Sequence, residues 1–192
     1  MIPTWRSENG NAQLYLADCI TVLPTLEARS IDTVITDLPY SEQTHQGART
    51  AARRPVEYWR KDPGMLINFP AFTLEETQSV LALMSPLVRS WVIVFTDWRF
   101  IQALEEHPPA GLRFVRFGIY VKPNGAPQFS GDRPGTGWEA IAILHHEGGR
   151  MKWNGGGHHA VWIYNKPHQD SYAGDHPTVK SLPLMKDIIQ KF

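Results

Sequence analysis

The sequence contains one cysteine, Cys19, and a single thiol excludes both an internal disulfide and a cysteine-cluster zinc site. It also lacks net charge, because 19 basic and 19 acidic side chains cancel, so any nucleic-acid surface must be a local patch. Its longest apolar runs, such as residues 91–95, are far too short to span a bilayer. The start MIPTWRSENG has no charged region followed by an apolar core, which argues against a secretory signal. A soluble, cytoplasmic protein is therefore expected.

The rest of the composition is that of an ordinary globular chain. Of the 192 residues, 42% are hydrophobic and 20% are charged, which is enough for one sizeable core and one domain. Apolar β-branched runs alternate with helical patterns, and this alternation predicts an α/β fold with a mostly parallel sheet and helices on its faces. The predicted strands are 12–18, 32–37, 91–97, 114–122 and 138–146, and the predicted helices are 19–30, 74–88, 99–108 and 181–192.

The run IDTVITDLPY at 31–40 ends a predicted strand with an acid, a proline and an aromatic ring. An isolated D-x-P-Y is typical of a turn that ends a strand. A chemical interpretation starts from Pro39, which pushes Leu38 into an extended conformation and so holds the Leu38 carbonyl and the Asp37 carboxylate near one point. Two such acceptors beside the flat face of Tyr40 suit a planar group with an exocyclic amine, such as adenine or cytosine.

This arrangement can make an unreactive amine nucleophilic. The lone pair of the amine is delocalised into its ring, and accepting both N–H hydrogens localises it for attack on an electrophile. Tyr40 would stack on the base after it has been flipped out of the duplex. Positioning and directed hydrogen bonds then do most of the catalysis. Asp18, Asp37 and Asp97 each follow a predicted strand, and open sheets of this kind bind ligands at the carboxyl ends of their strands.

The stretch IDTVITDLPY resembles the D-P-P-Y motif of amino-group DNA methyltransferases, which methylate adenine N6 or cytosine N4 with S-adenosylmethionine. LADC at 16–19 is similar to the G-D-C segment of that family, and HPTVKSLPLMKDII from His176 onward is similar to its H-P-T-x-K-P-x-x-L-M segment. VFTDWR and VKPNG…GWEAIAIL resemble the strand signatures between them. The resemblance covers residues 14–189, and the motif order matches the permuted class in which the catalytic half precedes the cofactor half.

This resemblance implies a Rossmann-like, S-adenosylmethionine-dependent methyltransferase fold with a hairpin or loop insertion for target recognition. It also implies a site-specific DNA methyltransferase of the restriction-modification type. An acid in the first motif position is the usual choice of adenine-N6 enzymes, so adenine is expected, with cytosine N4 as the alternative. The implied catalytic residues are Asp37, Leu38, Pro39 and Tyr40. The implied cofactor-binding residues are Asp18, Cys19, Asp37, His176, Pro177, Thr178 and Lys180.

The sequence departs from the family pattern at two places. Leu38 stands where the family has proline, but this position supplies a main-chain carbonyl that Pro39 still restrains. The D-P-F-x-G-S-G loop that follows the last helix in the family is not found after 181–192. The expectation is therefore that the central strands of the sheet are absent, that this helix has lost the surface its apolar face covers, and that the chain binds the cofactor poorly.

Three explanations of this second departure stay open. A missing C-terminal segment or a second chain would supply the glycine loop of a truncated or split enzyme. A degenerate, non-catalytic relative would bind DNA or a partner chain instead. Methylation of RNA or of a protein glutamine is a lesser alternative, against which the motif order and the basic segment after D-L-P-Y argue.

Two polar segments are candidates for contacts with double-stranded DNA. Residues 41–62 lack periodicity and predict a long, mobile loop that faces DNA directly after D-L-P-Y. Residues 148–175 resemble target-recognition material, and 151–164 predicts a hairpin around three glycines, either entering a groove or simply amphipathic. The basic residues concerned are Arg49, Arg53, Arg54, Arg60, Lys61, Arg150 and Lys152. The histidine pairs at 145–146 and 158–159 would point to opposite strand faces, so no metal site is expected.

Overall fold

A five-stranded mixed sheet and a separate two-stranded hairpin form the β structure of the protein. The computed structural model describes residues 2–51, 70–125, 127–128, 131–167 and 178–192, with the backbone alone for 47–51. The strands are β1 (Trp5–Arg6), β2 (Gln13–Leu14), β3 (Val34–Asp37), β4 (Trp91–Thr96), β5 (Leu112–Val121), β6 (Trp138–His146) and β7 (Val161–Ile163). The helices are α1 (Cys19–Val22), α2 (Glu42–Ala51), α3 (Leu74–Met84), α4 (Ile101–Glu106) and α5 (Leu182–Lys191), with 3-10 turns at Leu23–Thr25 and Trp98–Phe100.

The sheet has the strand order β3-β4-β6-β5-β7, with parallel pairs at its two margins and antiparallel pairs in the middle. The α/β class is confirmed, as are the predicted strands from residue 32 onward, but the prediction of a mostly parallel sheet is wrong. Parallel β3 and β4 are joined through α3, because a parallel pair requires a crossover connection. β5 and β6 pair antiparallel and need no helix between them, which the alternation of runs along the sequence did not reveal.

Helices cover both faces of the sheet because β4 is apolar on both sides. Every residue of Trp91–Thr96 is buried. Val92 and Val94 pack in one core with Leu81 of α3 and Leu104 of α4. The alternate residues of β4 point the other way and pack in a second core beneath α5. Within the described ranges, none of these helices combines the length and the apolar character needed to cross a membrane.

Polar side chains start three of the helical segments. The Thr73 side chain accepts a hydrogen bond from the Glu76 N–H and Glu76 accepts one from the Thr73 N–H, so the predicted capping box of α3 is confirmed. Asp18 accepts from the Ile20 N–H at the start of α1. Asp97 caps the 3-10 turn in the same way. Each cap satisfies a backbone donor that the helix itself leaves unpaired.

The expectation that α5 has lost the surface its apolar face covers is wrong for Ile188 and Phe192, which pack against the sheet, but Leu182 and Ile189 do remain exposed. Leu184 and Ile188 are fully buried against the sheet, whereas Leu182 is exposed and Ile189 has 62% of its surface exposed. The buried stripe therefore runs through positions four apart, 184, 188 and 192, rather than through 182 and 189. The described sheet therefore buries one stripe of α5.

Phe192 ends α5 among three tryptophans. Its ring centroid lies 5.2 Å from that of Trp91, 4.8 Å from that of Trp153 and 6.3 Å from that of Trp162. The first two contacts are edge-to-face, an arrangement that aromatic rings favour. A cavity of about 180 Å³ lies beside these rings. The aromatic contacts fix the far end of α5 on the sheet.

The predicted buried strand at 12–18 is wrong. Only Gln13–Leu14 is a strand, and it pairs with Trp5–Arg6 in a hairpin outside the main sheet, leaving Leu14 and Leu16 exposed. The turn between them is closed by the Ser7 N–H, which donates to the Ala12 carbonyl at 2.9 Å. Asn9-Gly10 is a strong hairpin turn signal. The strand therefore pairs with its neighbour in sequence, β1, instead of entering the central sheet.

Helix α2 occupies the first part of the predicted loop at 41–62, and for Glu42–Ala51 that prediction is wrong. The Ser41 side chain accepts from the Thr44 N–H at 3.4 Å, and the Ser41 carbonyl accepts from the His45 N–H at 3.0 Å. Glutamate, glutamine, alanine and arginine, which favour helix, make up six of the ten residues of α2, so a helix can follow such a cap without regular apolar periodicity. Residues 52–62 of the predicted loop lie outside the described residues.

The predicted hairpin at 151–164 is also wrong. Within it, Val161–Ile163 forms β7, which pairs in parallel with the edge of β5 rather than with a neighbouring strand at 151–153. The glycines form a turn in which the Trp153 ring N–H donates to the Gly156 carbonyl at 2.8 Å. The edge of a sheet presents backbone N–H and C=O groups without hydrogen-bond partners. At the edge formed by β5, pairing with β7 supplies those partners. Of the proposed insertion at 148–175, residues 168–175 lie outside the described part.

We expect Ile188→Ala to lower the free energy of unfolding by about 2–4 kcal/mol, because it opens a cavity between α5 and the sheet. The adjacent Ile189→Ala is a matched control on the exposed side of the same helix and should change stability by less than about 0.5 kcal/mol. Urea denaturation of the two variants beside the wild type measures both effects. Equal losses would contradict the packing of α5 described above.

Candidate active site

The D-L-P-Y segment lies at the carboxyl end of β3. Asp37 is the last residue of the strand and pairs in register with Phe95 of β4. Its side chain is 38% exposed, whereas Leu38 is buried in the core beside β4. Tyr40 is half-buried. The Leu38 side chain anchors the turn in the core and leaves the Asp37 carboxylate open to solvent, as a site for a ligand requires.

A largely buried charge cluster surrounds this carboxylate. Lys180, two residues before α5, places its Nζ 2.7 Å from Asp37 Oδ2 and 3.1 Å from Glu139 Oε2. Lys122, at the end of β5, places its Nζ 3.0 Å from Glu139 Oε1. The Tyr40 hydroxyl donates to Glu139 Oε2 at 3.4 Å. We call these five residues the Glu139 cluster, because Glu139 of β6 contacts three of the other four.

The cluster fixes the protonation states of its members. Burial alone would raise the pKa of Glu139, but the ammonium groups of Lys180 and Lys122 hold it below its usual value. Burial would lower the pKa of Lys180, but Glu139 and Asp37 raise it above its usual value. Burial and then the charges of Glu139 and Asp37 raise the pKa of Tyr40 well above 10. At neutral pH Glu139 is therefore ionised, Lys180 is protonated and Tyr40 is neutral.

Asp97 secures the chain that follows Tyr40. Its carboxylate is buried and accepts hydrogen bonds from the Ser41 hydroxyl and, at 2.6 Å, from the Thr44 hydroxyl. The Arg99 N–H and guanidinium donate to its other oxygen at 3.0 and 3.2 Å. Burial opposes the ionisation of Asp97, yet these hydrogen bonds lower its pKa below the usual value. Asp97 therefore joins the end of β4 to the start of α2 and holds the turn of the D-L-P-Y segment in place.

The structure brings together only some of the residues expected to bind a cofactor. Asp37 and Lys180 meet in the Glu139 cluster. Asp18 makes its hydrogen bond within α1, and Cys19 is exposed beside it, with no contact to the cluster among the described residues. Thr178 is exposed close to Lys180 in sequence. His176 and Pro177 lie outside the described residues, so these assignments stay predictions.

Of the basic residues predicted to contact DNA, the two whose side chains the structure describes, Arg150 and Lys152, lie away from this site. The Trp91 ring N–H, at the start of β4, donates to the Lys152 carbonyl at 2.7 Å, whereas Asp37 lies beside Phe95 at the other end of that strand. Arg150 and Lys152 thus lie about 13 Å along the sheet from Asp37, by the rise of a strand. Arg49 belongs to α2, which starts just after Tyr40. The side chain of Arg49 and residues Arg53, Arg54, Arg60 and Lys61 lie outside the described part, and their DNA contacts stay predictions.

Glu139 and Lys122 are the members of the cluster that the sequence reasoning missed. The signal was present, because WEAIAIL places an acid inside an otherwise apolar strand, where a lone charge is rarely buried. Lys122 ends the preceding strand, and antiparallel pairing of β5 with β6 brings that end beside the start of β6. Because a mostly parallel sheet was expected, the antiparallel pairing that brings Lys122 beside Glu139 was not anticipated.

Comparison with known proteins identifies the fold. No protein-family model and no curated protein matches the sequence. The crystal structure of the M1.HpyAVI–SAM complex is 21% identical, with a TM-score of 0.60 over 92% of this chain and 74% of that chain. A second crystal structure, of M1.HpyAVI, is also 21% identical, with a TM-score of 0.58 over 92% of this chain and 73% of that chain. This similarity shows the fold: the chain shares the α/β architecture of these two structures.

Glu139→Gln should destabilise the fold by on the order of 3 kcal/mol, because it leaves two buried ammonium groups without their shared partner. Asp32→Asn is the matched control, since it removes an acid from the exposed ion pair with Arg89 and should cost less than about 1 kcal/mol. Urea unfolding at pH 7 measures both changes. A loss at Glu139 no larger than at Asp32 would show that the cluster contributes little to stability.

The lowered pKa of Glu139 also predicts how stability depends on pH. A group whose pKa is lower in the folded than in the unfolded state contributes stability above its ordinary value, here 4.5, and loses it as the pH falls further. Wild-type stability should therefore fall as the pH drops below about 4.5, and Glu139→Gln should show a shallower fall. Urea midpoints between pH 6 and pH 3 test this, and parallel curves for the two proteins would contradict it.

Proposed function

We propose that the protein is an S-adenosylmethionine-dependent DNA methyltransferase that methylates the exocyclic amine of adenine. The observation that carries the proposal is the Asp37 carboxylate, held open to solvent at the end of β3 beside the half-buried ring of Tyr40. The similarity in fold to a structure that contains SAM supports the choice of cofactor. The resemblance of D-L-P-Y to the methyltransferase motif supports the choice of reaction.

The surroundings of Asp37 suit part of the proposed cofactor. S-adenosylmethionine carries positive charge on its sulfonium and amino groups, so its site needs acceptors and an open approach. The Asp37 carboxylate is partly exposed, and β3 forms the outer margin of the five-stranded sheet in the described part of the chain. Asp37 would hold the methionine end of the cofactor, and Asp18 would hold the adenosine end. When bound, the cofactor supplies an electrophilic methyl group whose bonding electrons stay on sulfur.

The D-L-P-Y residues would prepare the amine for methylation. Asp37 and the Leu38 carbonyl accept its two hydrogens and draw the nitrogen toward tetrahedral geometry, with its lone pair free to react. Tyr40 stacks on the flipped base, and its neutral hydroxyl remains bonded to Glu139. The amine gains the methyl group and loses one proton, which Asp37 is placed to accept and pass to water. Pro39 keeps both acceptors in position throughout.

The choice of adenine rests on the first residue of the motif. Asp37 is a carboxylate, which adenine-N6 enzymes of the resembled family use, whereas their cytosine-N4 counterparts carry serine. A carboxylate accepts from the amine more strongly than a hydroxyl does. Both bases share the same amine chemistry, so the methylated product decides between them.

Asp37→Ala should lower methyl transfer to DNA at least about 100-fold, because it removes an acceptor that acts on the reacting amine. Unmethylated genomic DNA and S-adenosylmethionine with a tritiated methyl group measure the transfer, and a gel-shift assay checks that DNA binding is kept. Asp32→Ala is the control, since this exposed acid lies just before β3 and away from the cluster.

Nucleoside mass spectrometry of the product identifies the base. The expected product is N6-methyldeoxyadenosine. N4-methyldeoxycytidine would contradict the choice of adenine, and full activity of Asp37→Ala would contradict the proposed mechanism itself.

A further inference from the structure

Lys180 and Asp37 present a hydrogen-bond donor and an acceptor side by side at the candidate active site, 2.7 Å apart. We infer that Lys180 recognises the target base, by donating to the ring nitrogen next to the amine that Asp37 accepts. This inference rests on the proposed function and deepens it. It also assigns Lys180 to the substrate rather than to the cofactor, to which the sequence resemblance assigned it.

The Lys180 ammonium has the capacity and the rigidity for this contact. It carries three N–H donors, and its hydrogen bonds to Asp37 and Glu139 use two of them. The side chain is only 13% exposed, and its Nζ lies 5.1 Å from the ring centroid of Phe95 and 5.7 Å from that of Tyr40. Because the ammonium lies over the Tyr40 ring, we place the base on that same face of the ring, with its edge rather than its face toward the ammonium. The third N–H would then donate to the edge of the base.

The donor and acceptor pattern selects adenine and cytosine. Adenine and cytosine each place a ring nitrogen acceptor beside an exocyclic amine donor, which complements Lys180 and Asp37 in turn. Guanine and thymine place a ring N–H beside a carbonyl oxygen, so the same pose would set donor against donor and acceptor against acceptor. Mismatched buried polar groups discriminate strongly between substrates. The pair therefore explains why adenine and cytosine, and not guanine or thymine in the same pose, would be aligned for methylation.

The charge state of Lys180 suits a donor and not a proton acceptor. Burial opposes its charge, but Glu139 and Asp37 raise its pKa, so it stays protonated at neutral pH. Glu139 acts as a positioning residue, since it binds Lys180, Lys122 and the Tyr40 hydroxyl at once. A carboxylate has about four lone-pair sites, so Asp37 can accept from Lys180 and from the amine together.

The test compares two duplexes that differ by one atom of the target base. Sequencing of DNA methylated by the wild-type protein first locates the target adenine. Synthetic duplexes then carry adenine or 1-deazaadenine at that position, where 1-deazaadenine replaces the ring nitrogen N1 by C–H. The ratio of kcat/KM for the two duplexes is measured for the wild type and for Lys180→Met, which removes the N–H donors but keeps the length of the side chain.

The preference for adenine over 1-deazaadenine should be about 10- to 100-fold larger in the wild type than in Lys180→Met, as expected for a hydrogen bond from a charged donor. Changes in base pairing and intrinsic reactivity affect both proteins alike and cancel in this comparison. Lys122→Met is the matched control, because it also removes an ammonium from Glu139 but lacks a contact with Asp37 among the described residues. It should keep the preference of the wild type.

Where a variant is too slow to assay, the ratio of dissociation constants for the two duplexes, measured with S-adenosylhomocysteine present, replaces the kinetic ratio. Equal preferences in the wild type and Lys180→Met, with methylation by the wild type intact, would overturn the inference and leave the proposed function standing. Loss of the preference in Lys122→Met as well would also overturn it. No methylation of any DNA by the wild type would overturn the proposed function, and the inference with it.

Discussion

The arrangement of the site depends on one balance of buried charge, between Glu139 and the two lysines that share it. Glu139 sits on β6, Lys122 follows β5, and Lys180 belongs to the segment that leads into α5. Asp37 and Tyr40 from the turn after β3 complete the set. Four separate parts of the chain thus meet through charged and polar groups rather than through apolar contact. Buried ions need such partners, so the removal of Glu139, the carboxylate that both lysines share, would be tolerated poorly.

Much of the fold could be predicted from the sequence because its signals were local. The capping box at Thr73 and Glu76, the apolar run of β4 and the spacing of apolar residues in α5 each depend on neighbouring residues alone. What the sequence could not give was pairing, which depends on residues far apart. Val161–Ile163 pairs with β5, and Gln13–Leu14 pairs with β1. Neither of these is the partner that the sequence led us to expect. The antiparallel direction of β6 relative to β4 and β5 could not be predicted for the same reason.

The candidate site divides in the same way. Asp37, Leu38, Pro39 and Tyr40 are contiguous, so their joint role could be inferred from their order and chemistry. Glu139 and Lys122 meet only because β5 and β6 are antiparallel. No local sequence pattern predicts the direction of that pairing. Asp97 was recognised as a possible helix cap, and the structure shows that it also accepts hydrogen bonds from Ser41 and Thr44. Contacts that bridge distant segments are the part that a single sequence conceals.

The contacts of Phe192 have a consequence for the reach of Lys180. The two residues lie at opposite ends of one short rigid unit, since α5 begins at Leu182 and its last turn is wedged between Trp91 and Trp153. A slip of that helix by one turn would carry the ammonium about 5.4 Å along the helix axis, well beyond hydrogen-bonding range of either carboxylate. The fit of one phenylalanine ring among indoles therefore holds the ammonium within reach of the two carboxylates at the opposite end of the helix.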